Sequence, residues 1–259
     1  VSFNMENERI RTQTGDSRGI AFAKINRAWA EIMLGRFDEA LMSLDIAVEM
    51  IADLKDRQLF AWAHNIKTSY YHAMGDYESS ETCVNKSMNI MKEIGNKWVI
   101  CYETVWLGHI KYDKGDYNSA KRLLKEGVNL FNINESKWGA ALSLLLYGNV
   151  YLRENDINNA DIIFKKSLAL SVETGNKHFI MLCFNAIAET AVIKKEYEKA
   201  VKLLCTSEKL KKLTKYHYSV CESKKIENNI SILKEYMKPE LIKKFRKISV
   251  ADAVKIAME

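Results

Sequence analysis

Proline is almost absent: Pro239 is the single one among 259 residues. Proline removes a backbone donor and breaks helices, so its scarcity leaves nearly the whole chain free to be helical. No apolar run reaches the roughly 18 residues that a membrane-spanning helix needs, so no membrane partner is expected. The start, Val1-Ser2-Phe3-Asn4-Met5-Glu6-Asn7-Glu8, lacks the basic beginning and apolar stretch of a signal peptide. It also lacks Met at position 1, which suggests a fragment cut from a longer protein. Cys83, Cys101, Cys183, Cys205 and Cys221 form no Cys-x-x-Cys pair and are odd in number. They read as reduced thiols packed as small hydrophobes in a cytoplasmic protein, not as a disulfide framework.

Catalytic signatures are missing as well. There is no Gly-rich phosphate loop, no nucleophile elbow and no His-Glu-x-x-His, so the chain is not expected to be an enzyme or to carry a cofactor. The five histidines are His64, His72, His109, His178 and His217. His64 and His72 lie eight apart and share a helix face. A metal site would want ligands at i and i+4 with a third nearby, and the expectation is that no metal is bound.

Charge is unevenly distributed. The net formal charge is +6, yet Lys209 to Lys247 holds 12 basic against 4 acidic residues, leaving 27 basic and 29 acidic elsewhere. No aromatics interleave with these lysines in the manner of single-strand binders. The segment reads as a solvated helical face, and nucleic acid is not the expected partner.

What the sequence does have is a period. Gly35-Arg36-Phe37-Asp38-Glu39-Ala40 is followed at 40-residue steps by Gly75-Asp76-Tyr77 with Ser80 and by Gly115-Asp116-Tyr117 with Ala120. Asn155-Asp156-Ile157 with Ala160 and Lys195-Glu196-Tyr197 with Ala200 complete the series. A fixed period of this size marks a stack of supersecondary units. In the third unit, Val99, Tyr102, Trp106, Leu107 and Ile110 lie on one broad helical face. Gly115 ends that helix, Asp116 is placed to cap the next, and Ala120, Leu123, Leu124, Gly127, Val128 and Phe131 point inward from the second helix.

Small residues recur at three places: Ala28, Thr68, Gly108, Gly148 and Ala188; Ala40, Ser80, Ala120, Ala160 and Ala200; Ala47, Ser87, Gly127, Ser167 and Ser207. They mark positions where helices cross closely. Leu44, Val84, Leu124, Phe164 and Leu204 are placed to fill the layer between units, and Phe37, Tyr77, Tyr117, Ile157 and Tyr197 to wedge at the start of each second helix.

These residues resemble the tetratricopeptide repeat (TPR) over about residues 18 to 213. The common unit has 34 residues; six more amount to about 1.7 helical turns, so both helices are expected to be longer by nearly a turn. The Gly15-Asp16-Ser17-Arg18, Gly95-Asn96-Lys97-Trp98 and Gly175-Asn176-Lys177-His178 links, in register with Glu135-Ser136-Lys137-Trp138, resemble a long-unit variant found in the C-terminal sensor arrays of large bacterial ATP-dependent transcription regulators.

The resemblance implies an all-α fold, a right-handed superhelical array of antiparallel helix pairs. One domain, 1–259, is expected, with repeats at about 18–56, 57–96, 97–136, 137–176 and 177–216 and a C-terminal cap over 217–259. In that cap, Tyr216 to about Tyr236 reads as one helix, Pro239 as the first turn of another and Ser249 as the N-cap of a last.

In the resembled family the first helix of each unit lines a concave groove. Registering the units gives Trp29, Asn65, Ser69, His72, His109, Tyr112, Asn149, Arg153, Asn185 and Glu189 as groove candidates. Amides can pair with a peptide backbone and aromatics can anchor side chains, while only Arg153 among them is cationic, so a protein or peptide ligand suits this lining better than a phosphate. The function implied is a non-catalytic protein- or peptide-binding module of a bacterial signal-transduction or transcription regulator. A receptor for a short signalling peptide and a structural scaffold are the alternatives.

Overall fold

The computed structural model describes residues 10, 11, 13, 15–218, 220–234, 236 and 238–259; Val1 to Glu8 lie outside them. Among the described residues there is no strand. First helices are α1 (Ser17–Met33), α3 (Arg57–Ala73), α5 (Lys97–Asp113), α7 (Lys137–Arg153) and α9 (Lys177–Ile193), each 17 residues long. Second helices are α2 (Phe37–Leu54), α4 (Tyr77–Ile94), α6 (Tyr117–Ile133), α8 (Ile157–Glu173) and α10 (Tyr197–Thr214), of 17 or 18 residues. Their first residues are the recurring Phe37, Tyr77, Tyr117, Ile157 and Tyr197. The cap is α11 (Val220–Leu233), α12 (Pro239–Phe245) and α13 (Val250–Met258).

The backbone is more regular than the residues that build it. A left-handed residue stands at 15, 35, 55, 75, 95, 115, 135, 155, 175, 195 and 215, once in every 20 residues. Six of these are glycine, for which positive φ is free of Cβ strain. The others are Lys55, Glu135, Asn155, Lys195 and Lys215. The side chain after each such turn caps the next helix in most copies. Asp16, Asp56, Asp76, Asn96, Asp116, Ser136, Asp156 and Asn176 each accept a backbone N–H three residues on, satisfying a donor the helix would leave open. Arg36 and Glu196 make no such bond.

The chain divides into two compact units, one ending at Lys114 and one beginning at Gly115. In the first, α1 pairs with α2 and α3 with α4, and α5 packs on α4 and α3. Its core includes Ile25, Ala28, Leu44, Ala47, Ile51 and Leu59. Phe37 meets the Tyr70 ring edge-on at 6.4 Å.

In the second unit α6 packs on α7, α7 pairs with α8 and α9 with α10. Phe164, Leu168, Met181 and Phe184 are fully buried there. Close approach is enforced by glycine: a Cβ at Gly148 would stand 2.4 Å from the Phe164 ring, and one at Gly139 2.2 Å from Phe131. The cap covers the end of this core. α11 lies against α9, while α12 and α13 lie against α10, burying Leu233, Phe245, Ala253 and Ala257. α11 starts at Val220, not Tyr216, because Tyr216 and Tyr218 leave the helical path to pack edge-to-face at 5.6 Å, with Tyr216 also against His178 at 4.1 Å. Pro239 opens α12, and Ser249 caps α13 by accepting the Asp252 N–H at 3.0 Å.

Candidate functional site

Helix α5 carries Trp98, Tyr102, Trp106, His109 and Asp113, spaced by four, four, three and four residues, a spacing that places them on one stripe. Their rings form a continuous series. Trp98 stacks on Tyr102 with centroids 5.7 Å apart and planes at 7°. Tyr102 meets Trp106 edge-on at 6.2 Å, and Trp106 lies 5.7 Å from His109. The facing helix α3 adds Trp62, 6.1 Å from Trp98, and His72, 5.3 Å from Trp106 and 4.3 Å from His109. Tyr77, at the start of α4, closes the end of the series 5.5 Å from His72.

Trp98 is 41 % exposed, and Tyr102, Trp106 and His109 are half-buried. The burial of α5 itself runs along Val99, Cys101, Glu103, Thr104, Val105, Gly108, Ile110 and Tyr112. Tyr102 and Trp106, grouped by periodicity with Val99 and Ile110, therefore flank the core and do not fill it. A first helix such as α3 or α9 is contacted by its own partner, by the preceding second helix and by the preceding first helix, so its free stripe is narrow and a one-residue rotation decides which side chains occupy it.

That rotation shows in the ten groove candidates. In the first unit Trp29 is exposed, and His72 and His109 are partly exposed. Asn65, Ser69 and Tyr112 are buried. The Asn65 amide donates to Glu103 Oε1 at 2.8 Å. Burial pushes the Glu103 carboxyl up to about 7, against the opposing pull of its Ser87 and Asn65 neighbours. Its second oxygen completes no hydrogen bond of standard geometry. In the second unit Arg153 is exposed and Asn149, Asn185 and Glu189 are half-buried. Asn185 donates its amide to the Tyr218 hydroxyl at 3.1 Å, tying α9 to the segment before the cap. The structure thus gives Asn65 and Asn185 internal partners, and only Asn149 of the three asparagines has none assigned.

Sequence reading missed one cluster. His72 Nε2 lies 2.7 Å from Asp113 Oδ2, and His109 Nε2 lies 3.4 Å from the same oxygen. The three ligand-capable atoms fall within 4.8 Å of one another, the only such group of three His, Cys, Asp or Glu side chains among the described residues. The signal was present as His109 and Asp113 at i and i+4, but a search restricted to histidines passes over it. The pairing considered, His64 with His72, is not the one formed: His64 packs edge-on against Phe60 at 4.5 Å, and burial holds it neutral, down to about 4.

Residues 141–171 match the family model described as tetratricopeptide repeat. This is the fourth helix pair, α7 and α8. The fold is that of a tetratricopeptide repeat array. Solved structures of the same fold include a signal transduction ATPase with numerous domains (STAND) protein with a tetratricopeptide repeat sensor from Pyrococcus horikoshii. That match has a TM-score of 0.59 and 17 % identity and covers 96 % of this chain but 36 % of the other. BtubC (BKLC) from P. vanneervenii matches with a TM-score of 0.55 and 14 % identity over 83 % of this chain and 89 % of that one. A putative kinesin light chain with nearly identical TPR-like repeats from Podosopora anserina matches with a TM-score of 0.53 and 14 % identity over 76 % and 96 %. At these identities the likeness is one of fold. No curated protein sequence matches the chain. No helix among the described residues is long and apolar enough to cross a membrane.

Proposed function

We propose that this array is a non-catalytic protein- or peptide-binding module of a signal-transduction regulator, and that α5 with the facing side of α3 is its principal contact surface in the first unit. The observation that carries the reading is the ring series Trp98–Tyr102–Trp106–His109. Large amphipathic rings left half-covered provide contact area at small entropic cost and are the residues from which binding hot spots are built. A solvated helix would carry charged groups on that stripe. The STAND protein with a tetratricopeptide sensor, similar over 96 % of this chain, supports the regulatory context. In such a protein the array would sense a partner and bias the state of an attached effector through differential affinity.

The test is a peptide-display selection on the purified array, followed by calorimetric titration of the best binder. Trp98→Ser combined with Tyr102→Ser should lower affinity at least about tenfold, the scale of one or two hot-spot rings, with the helical circular dichroism unchanged. Undiminished affinity in that folded double variant would reject the surface. A selection that yields no specific binder would reject the function.

A further inference from the structure

The structure assigns a transition-metal site to His72, His109 and Asp113. This inference is independent of the partner-binding proposal. It rests on three observations. The donor set, two imidazoles and one carboxylate, is the type that holds Zn²⁺ and related borderline divalent ions through three protein ligands with a further position for water or an incoming group. The geometry is near that of a bound ion. Ligand atoms about 2.0–2.1 Å from Zn²⁺ sit roughly 3.3 Å apart in a tetrahedron. Here the Asp113 oxygen is 2.7 and 3.4 Å from the two Nε2 atoms, and the three ligand atoms all lie within 4.8 Å of one another, so side-chain adjustment on His72 and His109 would complete the site.

The surroundings also suit a positioned site. Asp113 and His72 are only 6 % and 10 % exposed, while His109, at 26 %, leaves an approach from solvent. Trp106 and Tyr77 pack their rings on His72 and restrict its orientation. His109 and Asp113, at i and i+4, are presented by one helix, a rigid support for two of the three ligands.

Binding requires neutral imidazoles with Nε2 as the ligand atom. The proton that His72 Nε2 donates to Asp113 must move to Nδ1 or leave when Nε2 becomes a ligand. The consequence for the array is mechanical. His72 belongs to α3 and the other two ligands to α5, so the ion would bridge the first helices of consecutive repeats. In a stack where each repeat meets only its neighbours, that bridge fixes one inter-repeat junction.

The experiment uses the chain stripped with chelator and then titrated with Zn²⁺ by calorimetry, and with Co²⁺ followed by visible absorption. The expected result is one equivalent bound with a micromolar or tighter dissociation constant, and Co²⁺ bands between 500 and 700 nm typical of four-coordination. His109→Ala, at a position 26 % exposed, should weaken Zn²⁺ binding about 100-fold, since even supporting groups around a metal are worth 10–100-fold. Asp113→Asn should do the same, and Zn²⁺ should raise the melting temperature of the parent but of neither variant. Dissociation constants above about 1 mM in the parent, or affinity undiminished in folded His109→Ala, would overturn the site. Zn²⁺ binding that survives both variants would place the ion elsewhere and overturn it equally.

Discussion

Positions 22, 62 and 102 in the first unit carry the aromatic residues Phe, Trp and Tyr; the equivalent positions 142 and 182 in the second both carry Leu. The backbones are alike, with 17-residue first helices and a left-handed turn every 20 residues. The interiors differ. In the second unit the described residues include no fully buried carboxylate, and the core is interlocked, with Phe164 seated on Gly148 and the cap helices closing its end. The first unit encloses Glu31 and Glu103, and all five buried side-chain atoms that complete no hydrogen bond of standard geometry among the described residues belong to it, on His64, Ser69, Ser87, Glu103 and Trp106. Unsatisfied buried polar groups cost stability and commonly mark function. The contrast teaches that one repeat scaffold accommodates both an interlocked interior and an interior that encloses carboxyl groups.

The largest expected effect lies in the second unit. Phe164→Ala empties a fully enclosed ring site and should destabilise by about 4 kcal/mol, measured by urea unfolding with circular dichroism. A loss below about 1 kcal/mol would show that this interior is no better packed than the first.

The next effect tests the buried carboxyl of the first unit. Native Glu103 holds its proton up to about pH 7, whereas an unfolded Glu titrates near its ordinary value of 4.5. Between those values the native state binds more protons, so the Glu103 contribution to stability falls as pH rises. Glu103→Gln removes that contribution. It should match the parent at pH 4 and exceed it at pH 8 by on the order of 2–3 kcal/mol. His64 and His178, both held neutral by burial down to about 4, act in the opposite direction, so the variant-minus-parent difference is the informative quantity. A difference that does not change with pH would contradict the assignment.

Asn65→Ala should destabilise by about 2 kcal/mol, because it strips Glu103 of its 2.8 Å donor. A neutral result would return Asn65 to the set of ligand contacts. The smallest effect concerns the backbone that the two units share. Lys55→Gly in the first and Glu135→Gly in the second replace non-glycine residues at φ 51° and 54°. Each should stabilise by about 0.5 kcal/mol, the relief of left-handed strain less the added freedom of the unfolded chain. Unequal gains would show that the turns are not equivalent.

Much of this was legible in the sequence. The period fixed where second helices begin, the three rows of small residues are buried at the crossings, and Asp116, Pro239 and Ser249 act at helix starts as their types suggest. The 20-residue half-period was hidden because Lys55, Glu135, Asn155, Lys195 and Lys215 adopt a conformation that sequence reading reserves for glycine. The site was less legible. Which side of a first helix remains open depends on how its neighbours press on it, a tertiary property, so Asn65 and Tyr112 are buried while Trp98 is exposed and Tyr102 half-buried. The His72–Asp113 contact joins residues 41 apart on two different helices, a pairing that no local pattern encodes.

The most direct test of the proposed contact surface is amide hydrogen exchange on the array with and without a display-selected binder. Protection concentrated in 57–73 and 97–113 is the predicted result. Protection confined to 137–153 and 177–193, with α3 and α5 unchanged, would contradict it.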